Sequence, residues 1–231
     1  MTTLAGKRIL ITGATGALGS RIAHELSALG AQLVLTGRNA SALQALGLPG
    51  ELLELDLAQP GASAALLVAA RESGVIDGIV VAHGLVAFGP IAETPVSVSH
   101  TLNVVNQLVP IELITLALPD LTNAKDRGSE PFVLTISGII ADMPMASMAA
   151  YSASKAGLKA YVQAAQKELR RVGIRVVDAR PPHTETGLAQ RAISGTAPTM
   201  PEGLTPESVA HRIVTAIVND ERDVPADAFS S

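Results

Sequence analysis

The sequence predicts an α/β fold, a doubly wound parallel sheet of the Rossmann type, forming a single domain over residues 1–231. Three observations predict it. Short β-branched apolar runs alternate with longer stretches of helical periodicity from the first residues onward. The runs are apolar throughout instead of alternating with polar residues, which suits strands buried on both faces. A glycine-rich segment joins the first run to the first helical stretch, at the end of the sheet where such folds hold their ligands.

Arg8 to Thr12 is the first strand. Ala17 to Leu29 follows as a helix, with Leu18, Ile22, Leu26 and Leu29 on one stripe and Gly30 closing it as a C-terminal cap. Then come Gln32 to Thr36 (strand), Ala40 to Leu46 (short helix), Leu52 to Asp56 (strand), Ala62 to Ser73 (helix) and Ile76 to Ala82 (strand). Thr94 to Leu118 reads as a long helix region interrupted or bent near Pro110, where the ring removes a backbone donor. Phe132 to Ser137 is a further buried strand, and Tyr151 to Val172 a second long helix. On that helix Ala153, Gly157, Ala160 and Ala164 form a stripe of small residues that lets another helix approach closely. Ile174 to Asp178 is the next strand, and Thr205-Pro206-Glu207 opens a last helix to about Val218 by a capping hydroxyl followed by proline. Residues 181–203 lack periodicity, and no repeat or linker divides the chain.

Composition excludes several classes of function. The chain has 231 residues, 48% hydrophobic and only 16% charged, with a net charge of -4. No run approaches the roughly 20 apolar residues of a membrane span, so the low polarity points to a large interior. The start, Met1 to Arg8, runs straight into a strand and leaves no room for a leader, so a cytoplasmic location is expected. A pI near 5.7 and only five aromatic residues argue against nucleic acid as a partner. Absence of cysteine removes thiolate nucleophiles and thiolate metal sites, and no histidine pair has metal-ligand spacing, so no metal is expected.

At the nucleotide end, Thr12-Gly13-Ala14-Thr15-Gly16-Ala17-Leu18-Gly19 lies between strand and helix, where helix N–H groups and the macrodipole favour a pyrophosphate. Gly13, Thr15, Gly16, Ala17, Leu18 and Gly19 are therefore candidate cofactor contacts. Arg38 ends the second strand, where a carboxylate would read ribose hydroxyls and an arginine offers donors for a 2'-phosphate. NADP is thus expected over NAD, the competing reading being an exposed turn arginine. Asp56-Leu57 closes the third strand at the same edge, where the aspartate either accepts from an adenine amino group or caps the next turn.

Tyr151-Ser152-Ala153-Ser154-Lys155 puts a phenol and an ammonium four residues apart, on one helix face. A phenol ionises near pH 10, and a neighbouring cation favours its anion, so the pair suits proton transfer. With the glycine octet, Asn106 and the strand order, this resembles the short-chain dehydrogenase/reductase family in its single-domain form over nearly the whole chain. The resemblance implies that Tyr151 exchanges a proton with the substrate oxygen, that Lys155 binds the nicotinamide ribose, and that Asn106 orders a water in the proton relay. It also exposes departures. Thirteen residues before Tyr151, where the family has a carbonyl-polarising hydroxyl, stands Gly138, and Ser137 serves only if the chain bulges or has left the sheet there. Ser137 is taken as that donor, with an ordered water as the alternative. Ala17 replaces a family glycine. Val81-Ala82-His83-Gly84 replaces Asn-Asn-Ala-Gly, leaving Ala82, His83 and Gly84 against the cofactor or merely filling space. Pro181-Pro182-His183-Thr184-Glu185-Thr186 stands where the family has Pro-Gly and a carboxamide-binding threonine; Pro181, Thr184 and Thr186 are the candidates, Thr186 the best match.

By the same resemblance, residues 187–203 form the substrate loop and residues 142–148 flank the pocket. Met143, Met145, Met148 and Met200 supply adaptable apolar surface, which suits a medium-sized, weakly polar ketone, aldehyde or secondary alcohol. The first reading is an NADP(H)-dependent oxidoreductase interconverting carbonyl and alcohol. The second, motivated by Gly138 and His83, is a cofactor-binding redox sensor or interaction module with little catalysis. A homodimer or homotetramer through the helices of Asn106 and Tyr151 is implied.

Overall fold

The structure, a computed structural model, describes residues 1–229. Its core is a seven-stranded sheet in the order β3-β2-β1-β4-β5-β6-β7, with every pairing parallel. The strands are β1 (Arg8–Thr12), β2 (Gln32–Gly37), β3 (Glu51–Glu54), β4 (Gly78–Val81), β5 (Phe132–Ile136), β6 (Arg175–Ala179) and β7 (Asp223–Val224). The helices are α1 (Ala17–Ala28), α2 (Ala40–Gln44), α3 (Ala62–Arg71), α4 (Val96–Asn103), α5 (Val109–Leu116), α6 (Leu118–Asp126), α7 (Ala149–Leu169) and α8 (Pro206–Val218). The order reverses between β1 and β4, and their C-terminal ends, Thr12 and Val81, open the crevice where a doubly wound sheet binds its ligand.

Alternation along each strand builds two cores. Ile9, Ile11, Leu33, Leu35, Val80, Leu134 and Val177 pack under α1 and α8. Leu10, Val34, Ile79, Val81, Val133 and Val176 pack under α3, α5 and α7. Both faces are covered, which is why the strands read as continuous apolar runs. The edge strand β3 differs, its residues alternating between half-buried and exposed. At the opposite, N-terminal edge of the sheet, Arg175 is buried, donates to Ile217 O at 2.8 Å and stacks 5.5 Å from the Phe132 ring, a purely structural use of charge.

The helical region after β4 is more divided than the sequence suggests. The stretch from Thr94 to Leu118 is α4, a π-helical turn over Val104–Leu108 that interrupts it just before Pro110, then α5; a sharp bend of 43° follows between Leu116 and Leu118, next to Pro119. The helix α6 beyond it lacks a long apolar stripe, burying only Asp120, Leu121 and Ala124. The close approach at Gly157 is made within the chain: a Cβ there would stand 2.6 Å from Gln107 Nε2 of the π turn. Among the described residues no single helix is long and apolar enough to cross a membrane; Val96–Leu116 with Leu118–Asp126 has the length and composition as a bent pair, and here its apolar residues Val109, Leu113, Ile114 and Leu121 lie in the second core.

Candidate active site

The loop after β1 folds as it does because two glycines have no room for a side chain. Gly13 has φ +67°, and a Cβ on it would lie 2.7 Å from the backbone of His83; a Cβ on Gly19 would lie 2.2 Å from Gly13 O. The loop is thereby pressed against the end of β4 and against the first turn of α1. Gly16 caps α1 with no side-chain hydrogen bond, and the first turn holds no acidic residue. The N–H groups and positive pole of α1 face the crevice uncompensated by side chains, an arrangement that fits a pyrophosphate. Thr15 is exposed while Ala17 and Leu18 are half-buried at the same mouth. Arg38, just beyond β2, is exposed and makes no ion pair among the described residues, so its guanidinium is available to a phosphate. Asp56 Oδ1 accepts from Ala58 N at 3.1 Å, so the capping role is realised, with Leu57 buried behind it.

His83 has the most defined role of the altered stretch after β4, where Ala82 and Gly84 flank it half-buried. Its Nδ1 is 2.7 Å from Thr12 Oγ1 and its Nε2 is 3.1 Å from Val105 O. A carbonyl only accepts, so Nε2 carries the proton, and Nδ1 accepts from the threonine. The ring is neutral: burial, reinforced by the nearby Lys155 charge, holds its pKa down at about 4. Val105 O is available to His83 for a local reason. In the π turn Val109 N donates to Val104 O, and the residue that would serve Val105 O in that register is Pro110, which has no N–H.

Asn106 sits in the same turn, 1% exposed. Its Oδ1 accepts from Leu85 N at 2.8 Å, and its Nδ2 donates to Leu85 O at 2.9 Å and Ser154 Oγ at 3.1 Å. The amide thus clamps the chain leaving β4 to the helix α7.

On α7, Tyr151 lies in the first turn, half-buried, and burial pushes its phenol up to about 12. Lys155, one turn on and 6% exposed, donates from Nζ to Ile136 O at 2.7 Å and is pulled down to about 8 by burial, opposed by Asp178. Its hydrogen bond goes to the end of β5 and not to the phenol, so the lowering of Tyr151 expected from the sequence is outweighed by burial in the chain itself. At neutral pH the tyrosine keeps its proton and the lysine its charge, the state needed for giving a proton away.

Ser137 departs from expectation. Its N–H and that of Gly138 both reach Ala179 O, at 3.1 and 3.3 Å, so the chain does bulge there. Yet the hydroxyl is fully buried and donates to Asp178 Oδ2 at 2.6 Å, so its one proton is committed to a carboxylate and is not offered to a carbonyl. Gly138 itself has φ +76° and open space where a side chain would be.

Main-chain bonds tie the walls of the cleft together: Gly89 N to Ser147 O at 2.8 Å, Phe88 N to Ser194 O and Ile193 N to Val86 O, both at 2.9 Å. Residues 142–148 and the loop 187–203 are therefore bonded to the segment after β4. Thr184 Oγ1 donates to Pro182 O at 2.9 Å and Thr186 Oγ1 accepts from Leu188 N at 3.3 Å, so both threonines brace the loop; Pro181 is buried and its carbonyl accepts from Ile139 N at 3.0 Å.

Sequence reasoning missed Asp178 and Arg180. Asp178 accepts from Thr135 Oγ1 at 2.9 Å, Ser137 Oγ at 2.6 Å and Arg180 Nη1 at 3.2 Å; Arg180 also donates to Asp142 at 2.7 Å and to Asp223 at 2.6 and 2.9 Å. The available signal was two charges in and just after an apolar run, Val176-Val177-Asp178-Ala179-Arg180. Among the described residues no cluster of histidine and acidic side chains is arranged to hold a metal ion.

Comparison with known proteins agrees with this geometry. Residues 7–196 match the short chain dehydrogenase family. The ketoacyl reductase HetN of a Nostoc species is 31% identical, the match covering 97% of this chain and 79% of that protein. A short-chain dehydrogenase of Sphingobium yanoikuyae, solved in complex with NADPH, superposes with a TM-score of 0.85 at 25% identity, over 95% of this chain and 87% of that one. A 3-ketoacyl-(acyl-carrier-protein) reductase of Brucella melitensis complexed with NADH shares the fold, with a TM-score of 0.87 at 21% identity over 96% and 97% of the two chains. A glycine loop on a helix N-terminus, a Tyr151–Lys155 face at the same sheet edge and these matches make the chain a member of the short-chain dehydrogenase/reductase family, an oxidoreductase that uses a nicotinamide dinucleotide.

Proposed function

We propose that the chain is an NADPH-dependent carbonyl reductase acting on a weakly polar ketone or aldehyde of medium size, with Tyr151 as the general acid. The observation that carries the reading is the placement of Tyr151 and Lys155 on one face of α7 beside the crevice of β1 and β4. When bound, the dinucleotide supplies a hydride to the carbonyl carbon. Tyr151 gives its proton to the carbonyl oxygen as charge develops there, and Lys155 favours the phenolate left behind. Asn106 holds the chain after β4 against α7 through Leu85 and Ser154. Arg38 supports NADP over NAD, and the NADPH complex of the Sphingobium relative supports the same choice.

Ser137 offers no second donor, so a rate about 100- to 1,000-fold below that of a site with one is part of the reading. Met143 and Met145 are exposed beside the cleft and favour an apolar substrate. A homodimer or homotetramer in the cytoplasm belongs to the same reading; a clean monomer mass in light scattering would count against the assembly. The deciding assay follows NADPH oxidation across a panel of aliphatic and aryl ketones and aldehydes. Tyr151→Phe is expected to lower turnover at least about 100-fold while leaving dinucleotide binding intact.

The committed hydroxyl of Ser137 and the side-chain-free Gly138 favour one competing reading, a cofactor-binding sensor with little catalysis. Tight dinucleotide binding, no turnover on the panel and no effect of Tyr151→Phe would select it.

A further inference from the structure

We propose that Asp178 is a positioning residue for Lys155, the buried carboxylate whose charge keeps that ammonium protonated at working pH. The inference rests on the reading of Lys155 as the cation beside the catalytic phenol, and it begins from a buried acid for which that reading has no use.

Asp178 is 1% exposed, on the face of β6 that α7 covers. Its two oxygens take the hydroxyls of Thr135 and Ser137, the residues on either side of Ile136 in β5. Ile136 O is the acceptor that holds Lys155 Nζ at 2.7 Å. Carboxylate and ammonium are thus fixed to the same three residues of one strand end. A neutral carbonyl is Lys155's only hydrogen-bond partner among the described residues, and an ammonium 6% exposed requires an anion close by.

The charge pattern around Asp178 leaves that anion available. Arg180 meets Asp178, Asp142 and Asp223, and Lys159 meets Asp142. Three carboxylates face two cations, and one negative charge is left over. Lys155 is the third cation and makes the cluster neutral. The titratable and charged groups on the elements around Lys155 are Tyr151 and Lys159 on its own helix, His83 after β4, Asp142 after β5, Asp178 on β6 and Arg180 just beyond it. Of these, His83 is neutral and Asp142 is already shared by Arg180 and Lys159. Burial draws Lys155 down, and Asp178 is the one group that pulls the other way.

Replacing Asp178 removes the surplus charge and leaves Arg180 and Lys159 matched by Asp142 and Asp223, so the fold is expected to survive. The test follows the five lysines of the chain, Lys155 among them, by the pH dependence of their side-chain ¹³Cε resonances, with Lys155→Met to assign the signal. In Asp178→Asn the Lys155 midpoint is expected to fall by about one pH unit or more from about 8. Ser137→Ala, which alters packing but keeps the charge, should leave it in place. Asp178→Val, an apolar strand-forming replacement, is the second variant and should give the same fall as asparagine. The midpoint is read on the chain alone, so it stands whether or not carbonyl reduction is the reaction; in an active enzyme the alkaline limb of kcat/KM moves down by the same amount. An unchanged midpoint, an equal fall in Ser137→Ala, or failure of both Asp178 variants to fold would each overturn the proposal.

Discussion

An imidazole that accepts at Nδ1 and donates at Nε2 does both only while neutral, and His83 is held in that state between Thr12 and Val105. Its pKa of about 4 lies below the ordinary 6.5, so the unfolded chain binds the proton more readily than the folded one between those values. Stability linked to His83 is therefore complete above about pH 6.5 and drains as the pH falls toward 4, by an amount on the order of 2–3 kcal/mol. Thermal melts across this range should fall more steeply for the natural protein than for His83→Gln; parallel curves would show that the ring does not carry the effect. Lys155 sets a second, opposite dependence. Reductive kcat/KM is expected to hold near neutrality and decline above about pH 8 as the ammonium is lost; an alkaline limb unmoved in Lys155→Arg would sever that link. Tyr151 and Lys155 were legible in the sequence because helical spacing puts them on one face, whereas Asn106 was singled out only by the family resemblance. His83 was only half legible, since its partners, a threonine and a backbone carbonyl, are brought to it by the fold.

At the scale of elements, the π turn over Val104–Leu108 leaves one carbonyl free for a reason that lies just beyond it. Pro110 withholds the N–H that Val105 O would take, and His83 takes that oxygen instead, tying the turn of Asn106 to the end of β4. Pro110→Ala returns a donor that Val105 O can take within the helix, in competition with His83 Nε2. The variant should melt higher, by up to a few degrees, and turn over more slowly, since His83 then loses its hold on the turn that carries Asn106; a gain in stability with unchanged kcat would dismiss the His83–Val105 tie as incidental. Gly138 offers the converse experiment. A serine there meets open space but must adopt φ +76°, at a cost of about 1–3 kcal/mol. Gly138→Ser should lower the melting temperature and raise kcat about 10-fold or more by placing a hydroxyl at the cleft; stability lost without any gain in rate would show that the glycine conformation aims the side chain elsewhere. The proline was visible in the sequence, and the expectation put an interruption or a bend near it. A single π turn inside a run of helix has no periodicity signature, and α6 and the two-residue β7 escaped because neither carries an apolar run long enough to read.

For the whole molecule, chain order alone was enough to set the sheet edge that carries the site. Strands joined by helices must run parallel, so Thr12, Val81, Ile136 and Ala179 end on one side, and the glycine loop, Asn106, Tyr151 and Lys155 follow those ends. The buried cluster of Arg180 was not legible in that way, because it joins Asp142, Asp178 and Asp223 from separate elements. The same edge makes global stability a gauge of cofactor choice. A ligand held only by the folded domain adds about 2.7 kcal/mol at 100 times its dissociation constant, which for a chain of this length raises the melting temperature by about 5–10 °C. Arg38 is the exposed cation beyond β2, with no carboxylate paired to it among the described residues, and a guanidinium–phosphate contact is worth about tenfold in affinity, or about 1.4 kcal/mol. NADP should therefore raise the melting temperature more than NAD at equal concentration, by about 3–5 °C, and Arg38→Ala should erase that difference while leaving the NAD shift untouched. Equal shifts from both dinucleotides in the natural protein would mean that Arg38 points into solvent and that the preference for a 2'-phosphate does not exist.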